Sequence, residues 1–157
     1  MNHPKDIGDR SALAVIWALR GRGYDVLVPF GENTRYDIVI DDGECLAKVQ
    51  CKTGRLRNGA IAFKVCSSYA HHPNPKNRFR PYGDEVDYFG VYCPDNGGVY
   101  LVPSDELPNR FQVLLRVEPP RNSQRLHVRF AAAYEVGWIP LPTAEPAARA
   151  GASGSSA

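Results

Sequence analysis

The chain has 157 residues and a formal charge of +2, and its apolar and charged fractions, 43% and 23%, are those of a soluble globular protein. It has no run of about 18 apolar residues and its N-terminal segment MNHPKDIGDR is polar, which argues against a membrane-spanning helix and a secretory signal and predicts one cytoplasmic domain. The four cysteines include no C-x-x-C pair, so a zinc site is not expected and the thiols are predicted to be free.

The first predicted element is a helix from about residue 8 to residue 22, because SALAVIWAL is rich in helix-forming residues. Its apolar positions recur with helical spacing at Ala12, Val15, Ile16 and Leu19. Asp9 or Ser11 is a suitable N-cap, and Gly21 and Gly23 end the helix. The stripe predicts a helix that packs on one face against the rest of the domain.

The segments after the helix read mainly as strands. In chain order they are YDVLVPF, a hairpin within TRYDIVIDDGECLAKVQCKTG, GAIAFKVCS, a basic loop over residues 67–84, VDYFGVYC and GVYLVPS joined by a turn, a short helix in SDELPNRF, and a strand within residues 115–132. Trp17 and Trp138 are interpreted as packing residues. The order predicts an α/β or α+β domain over residues 1–142 with a central mixed sheet flanked by helices, and a disordered tail over residues 143–157.

The hairpin carries an unusual polar face. If its turn is centred on Asp42–Gly43, as an Asp-Gly pair indicates, Asp37 lies opposite Lys48. Because side chains alternate between the two faces of a strand, one face then carries Asp37, Lys48, Gln50 and Lys52, and the core face carries Ala47, Val49 and Cys51.

This polar face suits metal-assisted hydrolysis of a phosphodiester. A carboxylate is a ligand for Mg²⁺, a lysine can orient or deprotonate a water or neutralise negative charge in the transition state, and the Gln50 amide offers one more oxygen. The alternative is a solvated strand face with a weak cross-strand ion pair.

Residues 46–83 contain no acid and hold eight basic side chains: Lys48, Lys52, Arg55, Arg57, Lys64, Lys76, Arg78 and Arg80. Aromatic residues and the pair His71–His72 are interleaved with them. A local basic field with aromatics favours a nucleic-acid partner, whereas scattered charge on a solvated loop is the alternative. The candidate DNA-binding residues are Arg55, Arg57, Lys64, Lys76, Arg78 and Arg80.

The order Asp37, then Gln50-x-Lys52, resembles the signature of the PD-(D/E)XK nucleases, without its proline and with glutamine in the place of an acid. The segments GRGYDVLVPFGENTRYDIVI, VQCKTGRLRNGAIAFKV and VDYFGVY extend the resemblance to the compact group I intron-encoded homing endonucleases of that superfamily, over roughly residues 5–136. The resemblance implies a restriction-endonuclease-like core and Mg²⁺-dependent cleavage of double-stranded DNA that leaves 5′-phosphates.

The same resemblance implies roles for individual residues. Asp37 and the backbone carbonyl of Cys51 would bind the metal, Lys52 would act on the attacking water, and Gln50 would line the site. It also implies a homo-oligomer, a dimer or a tetramer, and a nucleoid-associated location.

One position departs from the family pattern. Relatives carry a glutamate in the context G-x-x-S-E-L-A, and this chain reads GDRSALAVI, with Ala12 in that place. Asp9, one helical turn away, is a candidate for a partial substitute. Either the chain is impaired, or it has been altered at Ala12, or the metal site functions with Asp37 alone. The leading interpretation is a Mg²⁺-dependent DNA endonuclease. The alternatives are an inactive DNA-binding protein of the same fold and a Holliday junction resolvase or repair nuclease.

Overall fold

Helix α1, Pro4–Gly21, is the first element of the computed structural model, which describes residues 3–69, 78–108, 111–122 and 128–139, with the side chains of 68, 69, 78–81 and 83 excepted. The helix begins one turn earlier than predicted. His3 is its N-cap and accepts a hydrogen bond from the Lys5 N–H at 3.3 Å, and Pro4 occupies the first turn, where no N–H partner is needed.

The buried face of α1 also differs from the predicted stripe. It comprises Ser11, Ala14, Val15, Ala18 and Leu19, whereas Ala12 and Ile16 are half-buried at its border. The stripe is therefore rotated by about one residue, and the small side chains at 11, 14 and 18 let the helix lie close to the sheet.

The described residues contain eleven strands and three short 3₁₀-helices. The strands are β1 (Asp25–Leu27), β2 (Ile38–Asp41), β3 (Leu46–Thr53), β4 (Arg55–Arg57), β5 (Ala60–Lys64), β6 (Cys66–Tyr69), β7 (Arg78–Pro81), β8 (Tyr88–Cys93), β9 (Gly98–Pro103), β10 (Gln112–Arg116) and β11 (Glu135–Trp138). The 3₁₀-helices are Gly83–Glu85, Ser104–Glu106 and Ala131–Ala133. No helix among them is both long and apolar enough to cross a membrane.

The strands form one central mixed sheet and two smaller ones. The central sheet has the order β1-β2-β3-β8-β9-β11, and its neighbours are antiparallel except β3 and β8, which are parallel. Strands β10, β5 and β4 form an antiparallel sheet, and β6 pairs with β7. This arrangement confirms the predicted α+β fold with a central mixed sheet, but among the described residues the predicted flanking helices are limited to α1 and the three short 3₁₀-helices.

Each face of the central sheet has its own hydrophobic core. On one face, Val15 and Leu19 of α1 pack with Val49 of β3. On the other, Phe89 of β8 packs with Phe63 of β5, so that the three-stranded sheet covers this face in the described part of the chain. Full burial of such side chains stabilises the fold by about 1.5–3 kcal/mol each. The strand β3 therefore has protein on both faces.

Several sequence predictions differ from the structure. The predicted loop 67–84 contains most of β6 and all of β7, and its residues 70–77, with His71–His72, lie outside the described residues, as does the tail 143–157. Of the strand expected within 115–132, the described residues 115–122 and 128–132 contain the end of β10 and one isolated bridge between Arg116 and Phe130, and β11 was not predicted. Trp17 is 71% exposed and Trp138 is 51% exposed, so the prediction of both as packing residues is wrong.

Gly54 lies where the two sheets approach each other, and it yields a prediction about stability. An added Cβ would lie 2.5 Å from Ile61 Cγ2 and 3.0 Å from Val91 Cγ1, both in a closed core. We expect Gly54→Ala to lower the free energy of unfolding by about 1–3 kcal/mol in a urea titration. Gly21→Ala is the control, since an added Cβ there meets nothing within 4 Å. Equal stability of the two variants would contradict this account.

Candidate active site

The turn between β2 and β3 sets the register of the polar face. Asp41 pairs with Leu46 and Val39 with Lys48, so the loop has four residues and the predicted pairing of Asp37 with Lys48 is wrong. The reason is the Asp42 carboxylate, whose Oδ1 accepts hydrogen bonds from the N–H groups of residues 44 and 45 at 2.9 and 2.8 Å. These bonds stabilise a wider turn than the Asp-Gly pair alone favours.

The predicted and observed registers of β2 and β3 differ by two residues. Because this is an even number, each side chain of β3 stays on the face that was predicted for it. Val49 and Cys51 face α1, as predicted. Lys52 faces the opposite side, where it lines a cleft. Gln50 and Lys52 are half-buried whereas Asp37 and Lys48 are exposed, so the end of β3 departs from a solvated strand face.

Asp37 immediately precedes β2, at an open edge of β3. Its N–H donates to the Val49 carbonyl at 3.0 Å, and its Oδ2 accepts from the Cys51 N–H at 2.8 Å. Since the N–H and C=O of one strand residue point to the same side, the Cys51 carbonyl is also directed to this edge. Two groups whose oxygens can bind a metal ion, the Asp37 carboxylate and the Cys51 carbonyl, thus lie at one corner of the sheet.

The charge of Asp37 is only partly compensated. The residue as a whole is exposed, but protein around the carboxylate removes part of its water and raises its pKa. The Cys51 N–H and the Lys52 ammonium act in the opposite direction, whereas Asp9 of α1 raises the pKa further. Asp9 therefore acts electrostatically on this corner, although it is three residues before Ala12.

Helix α1 is fixed to the end of β3 beside this corner. The Ser11 Oγ and Thr53 Oγ1 hydroxyls share a hydrogen bond of 2.5 Å, and Ser11 is 2% exposed. Ala12 is next to Ser11 and half-buried. The first half of α1 is thus held against the strand end where Asp37 and Lys52 lie.

The Lys52 ammonium is held by two oxygens. Its Nζ donates to the Tyr82 hydroxyl at 3.0 Å and to the Cys66 carbonyl at 3.4 Å. Burial lowers the pKa of Lys52, and the nearby Asp37 carboxylate raises it. Lys48, by contrast, is exposed, and its Nζ lies 5.8 Å from the centroid of the Tyr36 ring.

A cleft of about 740 Å³ extends from Lys52 along the smaller sheet. Its basic lining residues are Lys52, Arg55, Arg57 and Lys64. None of its described lining residues is acidic. Three of the predicted DNA-binding residues therefore share one cleft with Lys52. Lys76 lies outside the described residues, and Arg78 and Arg80 belong to β7, where the side chains are not described.

Two further polar residues, Gln50 and Asp87, lie near β8. Gln50 is level with Phe89 in the parallel pairing of β3 and β8, and within the described residues its amide makes no hydrogen bond. Asp87 is engaged with the backbone of Lys48, whose N–H donates to its Oδ2 at 2.7 Å. Among the described residues, no three His, Cys, Asp or Glu side chains are close enough together to hold a metal ion.

Two residues at the site, Arg35 and Tyr82, were not predicted from the sequence. Arg35 lies with its Cζ 4.3 Å from the centroid of the Tyr82 ring, and Tyr82 is 6% exposed. The sequence signals were weak: Arg35 comes two residues before Asp37, and Tyr82 was noted only as one aromatic within the basic segment.

A comparison with family models matches residues 2–137 to the PD-(D/E)XK endonucleases. The chain belongs to the PD-(D/E)XK endonuclease family. This nuclease has no match among curated proteins. Among solved structures it is similar to the bacterial homing endonuclease I-Ssp6803I, at a TM-score of 0.68 and 24% identity, with 85% of this chain and 89% of that chain covered. The family match and the shared fold confirm the resemblance seen in the sequence.

Proposed function

We propose that this PD-(D/E)XK endonuclease hydrolyses phosphodiesters of double-stranded DNA with Mg²⁺, in the manner of a homing endonuclease. The observation that carries the proposal is the convergence of Asp37, Cys51 and Lys52 at one strand end, beside a cleft lined by Arg55 and Arg57 and by no described acid. Carboxylate and ammonium supply the chemistry, and the cleft supplies attraction for a polyanion.

The donors at this corner suit Mg²⁺. Oxygen ligands are what Mg²⁺ prefers, and it is commonly held by one or two carboxylates with substrate phosphate and water completing the shell. Asp37, the Cys51 carbonyl and the Gln50 amide would hold it, with Asp9 as a second negative charge nearby. When bound, the ion supplies a Lewis acid for the scissile phosphate. The Cys51 thiol is not a ligand, because it faces the core and burial raises its pKa.

The protein side chains then have separate tasks. The Cys51 N–H holds the Asp37 carboxylate in place. Lys52 orients the attacking water or stabilises negative charge on the phosphate. Arg55, Arg57 and Lys64 bind backbone phosphates along the cleft. A homo-oligomer would present two such sites to the two DNA strands, and residues 1–142 would form the nuclease domain.

Cleavage of plasmid pools containing random sequence, with Mg²⁺ or with EDTA, tests this function. We expect cut ends with 5′-phosphates in Mg²⁺ only, and sequencing of the ends gives the target. Binding without cleavage in any divalent metal would favour the inactive DNA-binding alternative, for which Ala12 is the specific observation. Selective cutting of four-way junctions would favour a resolvase.

The basic lining of the cleft predicts how DNA affinity depends on salt concentration. Removing two phosphate contacts with Arg57→Gln/Lys64→Gln should reduce the slope of log K against log[salt] by about 2. Both residues are exposed, so the fold should be unaffected. Arg20→Gln/Arg22→Gln removes the same charge at the other end of α1, away from Pro4, which lines the cleft. Equal slopes for the two double variants, measured by fluorescence anisotropy in Ca²⁺, would refute the assignment of the cleft.

The alanine at position 12 leads to a prediction about the cleavage rate. Ala12→Glu should raise Mg²⁺ affinity and the cleavage rate together, by about tenfold or more, because it adds a carboxylate one turn from Asp9, which already acts on Asp37. Leu13→Glu is the control: it adds the same charge at a residue that is 65% exposed on another face of α1. An unchanged rate in the folded Ala12→Glu variant would mean that Ala12 serves packing alone.

A further inference from the structure

Tyr82 lies between Lys52 and the hydrophobic core. Its ring meets Phe89 edge-on, with centroids 5.6 Å apart and planes at 79°, and its hydroxyl is 3.0 Å from the Lys52 Nζ. A phenylalanine ring would fill the same space, so packing alone does not explain the hydroxyl group. Burial raises the pKa of Tyr82 to about 12, which keeps the hydroxyl protonated and neutral, able to accept a hydrogen bond from an ammonium group.

Arg35 holds the ring of Tyr82 from the chain segment that leads to Asp37. Its guanidinium stacks on the ring at 4.3 Å. Its Nε donates to the Glu85 Oε2 at 2.5 Å, and its Nη1 donates to the Ser67 Oγ at 2.6 Å. The guanidinium that stacks on the ring is thus itself held by β6 and by the 3₁₀-helix Gly83–Glu85.

We propose that Tyr82 is a positioning residue for Lys52, and that Arg35 supports it by fixing the Tyr82 ring; this rests on the function proposed above. A lysine side chain has several rotatable bonds and loses much rotamer freedom when its ammonium is held. A fixed acceptor for its ammonium removes most of that freedom before the substrate arrives, which is how supporting residues preorganise a reacting group.

A double-mutant cycle separates this role from simple packing. Tyr82→Phe should lower the single-turnover cleavage rate roughly 10- to 100-fold, leave DNA affinity in Ca²⁺ unchanged, and have no further effect in a Lys52→Ala background. Tyr100→Phe is the matched control, because this tyrosine is 1% exposed and its hydroxyl accepts from Asn96 rather than from Lys52. An equal loss of rate in both backgrounds, or a Tyr82→Phe rate equal to that of the wild type, would overturn the proposal.

A second measurement does not depend on cleavage. In ¹H–¹⁵N spectra of the metal-free protein, the Lys52 ammonium should give a cross-peak protected from exchange, identified by its absence in Lys52→Ala. The peak should be lost in Tyr82→Phe and retained in Tyr100→Phe. A wild-type protein that cleaves no DNA would refute the proposed function, and the spectra would still decide whether Tyr82 holds Lys52. An unaltered peak in Tyr82→Phe, or no such peak in the wild type, would refute the positioning role.

Discussion

Lys52→Ala should lower the single-turnover cleavage rate by about 100-fold or more while DNA affinity in Ca²⁺ changes much less. This magnitude is that of a lost acid–base or charge-stabilising group in a desolvated site. The position of Lys52 supports it, since burial and two fixed oxygens hold the ammonium beside Asp37 rather than in open solvent. Quenched-flow cleavage and anisotropy measure the two quantities separately.

Lys48→Ala is the matched control for this experiment. Lys48 lies on the same strand and the same face, and its removal costs the same formal charge, but its side chain is exposed and does not line the cleft. We expect its cleavage rate to stay within about threefold of the wild type, as for an exposed charge. If Lys52→Ala weakened binding and cleavage by equal factors, Lys52 would be a phosphate contact and no more.

Asp37→Asn should abolish Mg²⁺-dependent cleavage, with a loss of about 1,000-fold or more, because the corner loses the carboxylate that accepts from the Cys51 N–H. Calorimetry should show a matching loss of Mg²⁺ affinity. The variant should fold as well as the wild type: surrounding protein disfavours the charged form of Asp37, and an amide oxygen can still accept from Cys51.

Asp41→Asn is the control for that loss. Asp41 ends β2, and its Oδ1 accepts from the Gly43 N–H at 2.8 Å, a bond that asparagine can keep. Its cleavage rate should equal that of the wild type. Retained cleavage in Asp37→Asn together with a loss in Asp9→Asn would assign the metal to the helix carboxylate and contradict the role of Asp37.

The sequence predicted which face Lys52 and Gln50 occupy because side-chain alternation survives a register error of two residues. The register itself could not be predicted, since it depends on the Asp42 carboxylate bonding two backbone N–H groups within the turn. The start of α1 was missed because histidine is not among the preferred N-caps.

Arg35 and Tyr82 could not be found by spacing. They are 47 positions apart in the printed sequence and meet only when the loop before β2 and the segment before β8 fold against each other. The exposure of Trp17 was also not predictable from periodicity, because the helix is rotated by about one residue from the apolar stripe. Tertiary packing, not local preference, decided both.

The parallel pairing of β3 with β8 has a consequence for the order of folding. The hairpin of β2 and β3 closes a four-residue loop, a local event of about 1–10 μs. Docking of β8 must instead close residues 54–87, which carry β4, β5 and Tyr82, and such long-range contacts form slowly. The hairpin that carries Asp37 and Cys51 is therefore expected to form before β8 pairs with β3.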